Sequence, residues 1–194
     1  MSRTEIRITG FGGQGVVLSG HIIGRACAIN AGIHATMIQS FGPEARGSAC
    51  SATLAISDRE VLYPYIARPD IFVCMSLEGY DKYHDELKDD GLLLYEKDMI
   101  HPTLKEGQPA FGVPSTRIAE SLGRRIVQNI VMLGFFAAVS QIVPREHMRE
   151  AVKDSVPAGT EELNLSAFDA GCAHFDEEYG KEAVSNQSSV VSKQ

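Results

Sequence analysis

The sequence predicts an α/β fold, with an open, mostly parallel sheet covered by helices on both faces. Three observations predict it. A β-branched segment of alternating polarity, Glu5-Ile6-Arg7-Ile8-Thr9, runs directly into a glycine-rich loop and then into a helical pattern. Two short apolar runs, DIFVCM at 70–75 and GLLLY at 91–95, have the composition of strands buried on both faces. Strand patterns alternate with helical ones along the chain, as crossover connections between parallel strands require. On these grounds the opening unit is Rossmann-like.

Each element follows from local pattern. After the first strand, Val16 to Ala31 places Val17, Leu18, Ile22, Ala26 and Ile29 at helical spacing, and Gly32 suits a C-terminal stop. His34 to Gln39 reads as a second strand, completing a βαβ unit. Gly42, Pro43 and Gly47 then mark a loop. Ala49 to Ile56 reads as a strand, Ser57 to Glu60 as a turn, and Val61 to Tyr63 as a segment pairing back. An antiparallel hairpin is therefore expected near residues 48–65. Leu77 to Leu87 reads as a helix, Pro102 to Gly112 as a weakly structured connection, and Thr116 to Leu122 as a helix stopped by Gly123. Arg145 to Asp154 is a charged amphipathic helix. Glu161 to Glu178 is a last helix, with Leu163, Leu165, Phe168, Cys172 and Phe175 along one stripe. No repeat or linker divides the chain, so one domain over 1–183 is expected, followed by a disordered Ser/Gln-rich tail at 184–194.

Composition narrows the function classes. The 194 residues are 44% apolar and 22% charged, ordinary values for a globular chain. A net charge of −7 argues against nucleic acid or an anionic membrane as partner. Ile126 to Val143 is nearly long enough to span a bilayer, but it contains Gln128, Asn129, Ser140 and Gln141 and follows Arg124-Arg125. It reads instead as a soluble helix buried against the protein core or a partner subunit, with Asn129, early in it, expected to bond backbone or a partner subunit rather than substrate. Cys27, Cys50, Cys74 and Cys172 form no CxxC pair and no His stands at ligand spacing from them, so no metal site is expected within the chain. They read as reduced core residues of a cytoplasmic protein. The N-terminus, MSRTEIRITG, has no apolar stretch of signal-peptide length.

Two loops carry the chemistry. Gly10, Gly12 and Gly15 match G-x-G-x-x-G between a strand and a helix, the context in which a helix N-terminus offers free N–H groups to a phosphate or carboxylate. Dinucleotide binding also calls for an Asp or Glu at the end of the second strand. That strand ends Met37-Ile38-Gln39-Ser40, without a carboxylate. The missing acid disfavours a dinucleotide but leaves four readings open: a packing turn, a different phosphate-bearing ligand, apposition to a neighbouring subunit's cofactor, or a freestanding dinucleotide-binding enzyme or regulator. Gly13 extends the bare backbone at the apex, and Gln14 adds an amide donor and acceptor. The second loop, Ser40-Phe41-Gly42-Pro43-Glu44-Ala45-Arg46-Gly47, should leave the carboxyl end of strand two beside the first. There Ser40 can hydrogen-bond a ligand and Arg46 can fork onto an anion, or Glu44 and Arg46 can simply pair. The histidines His21, His34, His84, His101 and His174 have no acid or nucleophile at a telling spacing and read as structural.

At these loops the sequence resembles the gamma subunit, or gamma domain, of the 2-oxoacid:ferredoxin oxidoreductases. GFGGQGVVLSGHIIGRACA at 10–28, QSFGPEARGSACSATLAISDREVLYP at 39–64 and NIVMLG at 129–134 carry the likeness; beyond Pro144 it is one of general layout. The resemblance implies a complex that converts a 2-oxoacid and coenzyme A to an acyl-CoA and carbon dioxide, passing electrons to ferredoxin. It implies thiamine diphosphate, Mg2+ and [4Fe-4S] clusters on partner alpha, beta and cluster-bearing delta subunits, with none bound by this chain alone. The gamma part is associated with coenzyme A access. Gly10, Gly12, Gly13, Gln14, Gly15, Ser40, Gly42, Pro43, Glu44, Arg46 and Gly47 are thereby the candidate binding residues, with no catalytic residue or metal ligand in this chain. The freestanding short form with SFGPEARGSACSA looks most like the 2-oxoglutarate type, with pyruvate, branched-chain and indolepyruvate enzymes as alternatives.

Overall fold

A computed structural model describes residues 3–40, 49–63 and 65–180. Its six strands are β1 (Thr4–Phe11), β2 (His34–Ser40), β3 (Ala49–Ser57), β4 (Ile71–Cys74), β5 (Leu92–Glu96) and β6 (Ala110–Val113), in the order β2-β3-β1-β4-β5-β6. The pairings β1–β4, β4–β5 and β5–β6 are parallel. β3 runs against both β1 and β2. The expected α/β architecture is present, and five of the strands point the same way.

The antiparallel element lies where it was expected, but its partners differ. β3 pairs through Ala49–Ile56 with β1 (Ile6 with Leu54, Ile8 with Ala52) and through Ser51–Ser57 with β2 (Met37 with Leu54). Val61 to Tyr63 form no strand; Leu62 and Tyr63 are 83% and 64% exposed. A nine-residue strand gains far more ladder bonds between two long neighbours than against a three-residue return. As a consequence β1 and β2, though joined by a helix in a parallel crossover, are not adjacent.

The sheet faces are covered unequally. On one side lie α1 (Val16–Arg25, extended by a π-helical turn Ala26–Asn30), α3 (Ser115–Ser121), α4 (Gln128–Ser140), α5 (Arg145–Ser155) and α6 (Glu161–Glu178), packed on Ile6, Ile8, Leu54, Val73 and Leu94. On the other, α2 (Leu77–Tyr83) and its following 3-10 turn cover Phe72, Cys74 and Leu93. Arg7, 7% exposed on that side, ties this cover down. It pairs with Glu86, lies 4.6 Å from the Tyr83 ring centroid and donates to the Ile66 carbonyl at 3.5 Å.

α4 is apolar all round because it is enclosed all round: every residue from Gln128 to Ala138 is buried. Its cover is this chain's own α6, α3 and α5, so it is no docking surface for a partner. Two glycines allow the α4–α6 approach. A Cβ at Gly134 would fall 1.9 Å from the Phe168 carbonyl oxygen, and one at Gly171 would fall 2.0 Å from that of Val131. The buried stripe of α6 accordingly runs through Asn164, Ala167, Phe168, Gly171, Cys172 and Phe175, whereas Leu163 and Leu165 are only partly covered. Among the described residues, no helix is long and apolar enough to cross a membrane.

β6 falls in the stretch expected to be a weakly structured connection. Four residues containing a glycine carry too little pattern to announce a strand. Their state is set by pairing with β5 and by Tyr179, whose hydroxyl donates to the Gly112 carbonyl at 3.0 Å and accepts from its N–H at 3.3 Å. The hydroxyl thus occupies the backbone groups that an edge strand leaves free. The expected tail at 184–194 lies outside the described residues.

Candidate functional site

The carboxyl ends of β1, β4 and β5 and the start of α1 meet at one edge of the sheet. Between β1 and β4 the chain order reverses, with one connection leading outward to β2 and the next to β5. In open α/β sheets ligands bind in the crevice at such a point. The glycine loop leaves β1 here. Gln14 N–H donates to the Phe11 carbonyl at 3.0 Å, closing the turn, and Gly13 and Gly15 adopt φ of 99° and 77°. Only glycine adopts these left-handed values without steric cost.

Gln14 holds the crevice together. Its Oε1 accepts from the Phe11 N–H at 2.7 Å, and its Nε2 donates to the Met75 carbonyl at 3.2 Å. The Met75 N–H in turn donates to the Thr9 carbonyl at 2.9 Å. The amide that the sequence offered to a ligand is therefore engaged within the chain, shaping the loop.

The start of α1 is left open. Gly15 is its N-cap and has no side chain to satisfy the first turn. The first helical bond runs from Ser19 N–H to the Gly15 carbonyl at 2.8 Å, and the N–H groups of Val16, Val17 and Leu18 find no acceptor among the described residues. The first turn contains no acidic residue. Free donors and the positive end of the helix dipole together favour an anion.

Asn129, in the first turn of α4, reaches the same place. It is 3% exposed, and its Nδ2 has no hydrogen-bond partner among the described residues. A buried donor left unmade costs about 1–3 kcal/mol. A Cβ at Gly15 would lie 2.5 Å from that Nδ2, so glycine at 15 is required by the Asn129 amide as well as by φ. The sequence pattern signals a buried polar residue on α4, but not its neighbour 114 positions away.

Ser40 ends β2 at the same edge, exposed. It pairs with Ser51, which pairs with Thr9, so β3 separates it from β1 and the two serve as neighbours only across about 10 Å. Gly42, Pro43, Glu44, Arg46 and Gly47 lie outside the described residues. Their segment starts after Ser40 and ends at Ala49, which pairs with Phe11, so both of its anchors stand on the glycine-loop edge. The β3 insertion also explains the missing ribose-binding acid: the place beside β1 that a second strand takes in dinucleotide-binding folds is held by β3.

One buried carboxylate escaped the sequence reading. Glu96, 1% exposed at the end of β5, accepts from the Ser115 hydroxyl, from the Thr116 N–H at 3.0 Å and hydroxyl at 3.2 Å, and from the Asp98 N–H at 3.2 Å. The Thr116 hydroxyl also lies 2.9 Å from the Gln128 amide. This network braces the start of α3 against that of α4, next to Asn129.

The thiols take no part. All four cysteines are free and buried. Burial pushes Cys27 up to about 12 and Cys74 and Cys172 up to about 11, and raises Cys50, so none is a nucleophile near neutrality. His84 stacks on Tyr80 and shares a 3.0 Å hydrogen bond with its carbonyl, while burial lowers the pKa of His174 beside Phe135. Among the described residues, no group of three or more His, Cys, Asp or Glu side chains is placed to hold a metal ion.

Comparison with known proteins agrees with this layout. The chain is 45% identical over 172 residues to the 2-oxoglutarate synthase subunit KorC of Methanocaldococcus jannaschii, covering 87% of this chain and 92% of that one. It superposes on a keto/oxoacid ferredoxin oxidoreductase gamma subunit from Geobacter sulfurreducens with a TM-score of 0.78 and 36% identity, covering 88% of this chain and 96% of that one. A 2-oxoglutarate:ferredoxin oxidoreductase from Magnetococcus marinus, solved with 2-oxoglutarate, coenzyme A and succinyl-CoA bound, matches with a TM-score of 0.81 and 25% identity over 89% of this chain and 31% of that one. The pattern of the pyruvate ferredoxin/flavodoxin oxidoreductase family matches residues 5–174, and the chain belongs to that family.

Proposed function

We propose that this chain is the gamma subunit of a cytoplasmic 2-oxoglutarate:ferredoxin oxidoreductase, and that the glycine-loop edge helps to bind coenzyme A and to seat the chain in the complex. The overall reaction takes 2-oxoglutarate, coenzyme A and oxidised ferredoxin to succinyl-CoA, carbon dioxide and reduced ferredoxin. Thiamine diphosphate with Mg2+ supplies the decarboxylation chemistry and [4Fe-4S] clusters carry the electrons; both are assigned to the alpha, beta and delta partners. The observation that carries the reading is the 45% identity with a 2-oxoglutarate synthase subunit over 92% of that subunit's length.

This chain's own contribution is binding and orientation. The free N–H groups at the start of α1 and the Gly12-Gly13 backbone suit the phosphates of coenzyme A. Gln14 keeps that backbone in place by bridging the β1–β4 crevice. Ser40, Gly42, Pro43, Glu44, Arg46 and Gly47 complete the binding set, with Arg46 as the cation. Choice of 2-oxoacid belongs mainly to the cofactor-bearing subunits. The test is to co-express the chain with its partner subunits and assay 2-oxoglutarate, pyruvate, 2-oxoisovalerate and indolepyruvate. Preference for 2-oxoglutarate, lost when this chain is omitted, supports the reading. Full coenzyme A-dependent turnover without this chain, or preference for another 2-oxoacid, sinks it.

A further inference from the structure

Asn129 occupies an unusual position relative to α1. Its carboxamide stands where a side chain at Gly15 would be, with Nδ2, Cγ and Cβ at 2.5, 2.6 and 3.2 Å from an added Cβ. Gly15 is the N-cap of α1, and the N-cap side chain is the group that ordinarily meets the free N–H groups of the first turn. Gly15 itself is left-handed, with φ 77° and ψ 21°, so Asn129 does not replace a cap but sets a polar group from another helix against the N-cap residue. The group makes no hydrogen bond to that turn: among the described residues Nδ2 is unpartnered and the Val16, Val17 and Leu18 N–H groups find no acceptor.

The chemistry of the set selects a ligand. With its NH2 toward the turn, Asn129 adds a side-chain donor to three backbone donors. Neither α1 nor α4 has an acidic residue in its first turn. Donors converging on a helix's positive end, without an acid to compete, match a phosphate group better than a hydroxyl, a base or a thiol.

We propose that Asn129 is a binding residue for a phosphate group seated at the start of α1, its side-chain amide joining the backbone donors of that turn. The inference rests on the reading that the glycine-loop edge faces coenzyme A. It specifies that this edge holds the phosphates, while the pantetheine arm extends away toward the partner's reaction centre.

The test uses the assembled complex with two thiol substrates, coenzyme A and pantetheine, which lacks the phosphates. The wild type should favour coenzyme A in kcat/KM. Asn129→Asp keeps the shape but turns a negative oxygen on the phosphate. It should raise KM for coenzyme A about tenfold or more, with kcat held and pantetheine kinetics unchanged. Should the buried carboxylate prevent assembly, Asn129→Ser serves instead, with an expected rise of about threefold that is again confined to coenzyme A. An equal loss for both thiols, or none for coenzyme A, makes Asn129 an internal packing group and overturns the proposal. A wild-type complex that uses both thiols equally removes the phosphate site itself, and the reading of the glycine loop falls with it.

Discussion

Replacing Gly134 by alanine sets two effects of opposite sign against each other. Helix propensity favours alanine in a helix interior by about 1 kcal/mol. Contact geometry opposes it. The new Cβ would lie 1.9 Å from the Phe168 carbonyl oxygen and 2.8 Å from its carbon, whereas carbon and oxygen normally approach to about 3.3 Å. The obstacle is backbone, so no rotamer change relieves it, and α6 would have to withdraw by about 1 Å or more. That withdrawal is resisted. Arg145 and Arg149 fork onto Asp176 and Asp169, holding α6 to α5 at 2.7–3.0 Å. Cys172 Sγ donates to the Gly134 carbonyl at 3.2 Å. Overpacking costs about 1–3 kcal/mol where neighbours can yield, and a rigid backbone contact belongs at or above the upper end. The net expectation is a loss of about 2 kcal/mol or more, which for a chain of this length lowers Tm by about 4–8 °C. Gly24→Ala in α1 is the control: its Cβ meets only Leu54 Cδ2, at 3.8 Å, so propensity alone should act and stability should hold or rise. Thermal unfolding followed by circular dichroism reads both. An unchanged or raised Tm for Gly134→Ala would refute the close helix contact.

Three further outcomes are expected. Tyr179→Phe removes the hydroxyl from the Gly112 backbone, costing about 1 kcal/mol; hydrogen exchange at the Gly112 amide should quicken, and unaltered protection would mean that Tyr179 does not shield the edge. Gln14→Ala frees the Phe11 N–H and the Met75 carbonyl, and should raise KM for coenzyme A several-fold in the assembled complex; an unchanged KM would detach the loop from coenzyme A. The buried thiols predict alkaline destabilisation. Cys27, Cys74 and Cys172 hold their protons up to about 11–12 when folded, but lose them near 8.5 when unfolded. Between those limits the native state binds more protons, so stability falls as pH rises through about 9 to 11. Urea midpoints at pH 8 and 10 should differ in that sense, by less in Cys27→Ala, and equal shifts in both proteins would remove Cys27 from the account.

Much of the candidate site was legible because its signals are local. The glycine spacing, the strand before it and the helix after it fall within residues 5–31, and all three stand where the pattern put them, the helix closing in a π turn. The apolar run now seen as α4 was recognised as buried, but its cover was not, since periodicity shows that a face is apolar without naming what meets it. Gln14 was read as a ligand group because its partner Met75 is 61 residues away. Asn129 is legible in the sequence only as a polar residue early in a buried helix, with its place beside Gly15 hidden, and Glu96 gives no signal at all, because a single polar residue in an apolar context acquires meaning only from its neighbours in space.

By itself, the sequence determined a strand–glycine loop–helix unit with a helix N-terminus free for an anion. Side-chain period and glycine's access to positive φ are properties of consecutive residues, so a linear reading reaches them. The tertiary structure decided which strand lies beside β1 and which side chain lies beside Gly15. Both are choices among pairings distant along the chain, settled by competition for ladder bonds and core packing. By seating β3 between β1 and β2, that competition removed the dinucleotide geometry that the glycine motif alone suggested. By bringing α4 against Gly15, it placed the Asn129 amide at the one open turn of α1.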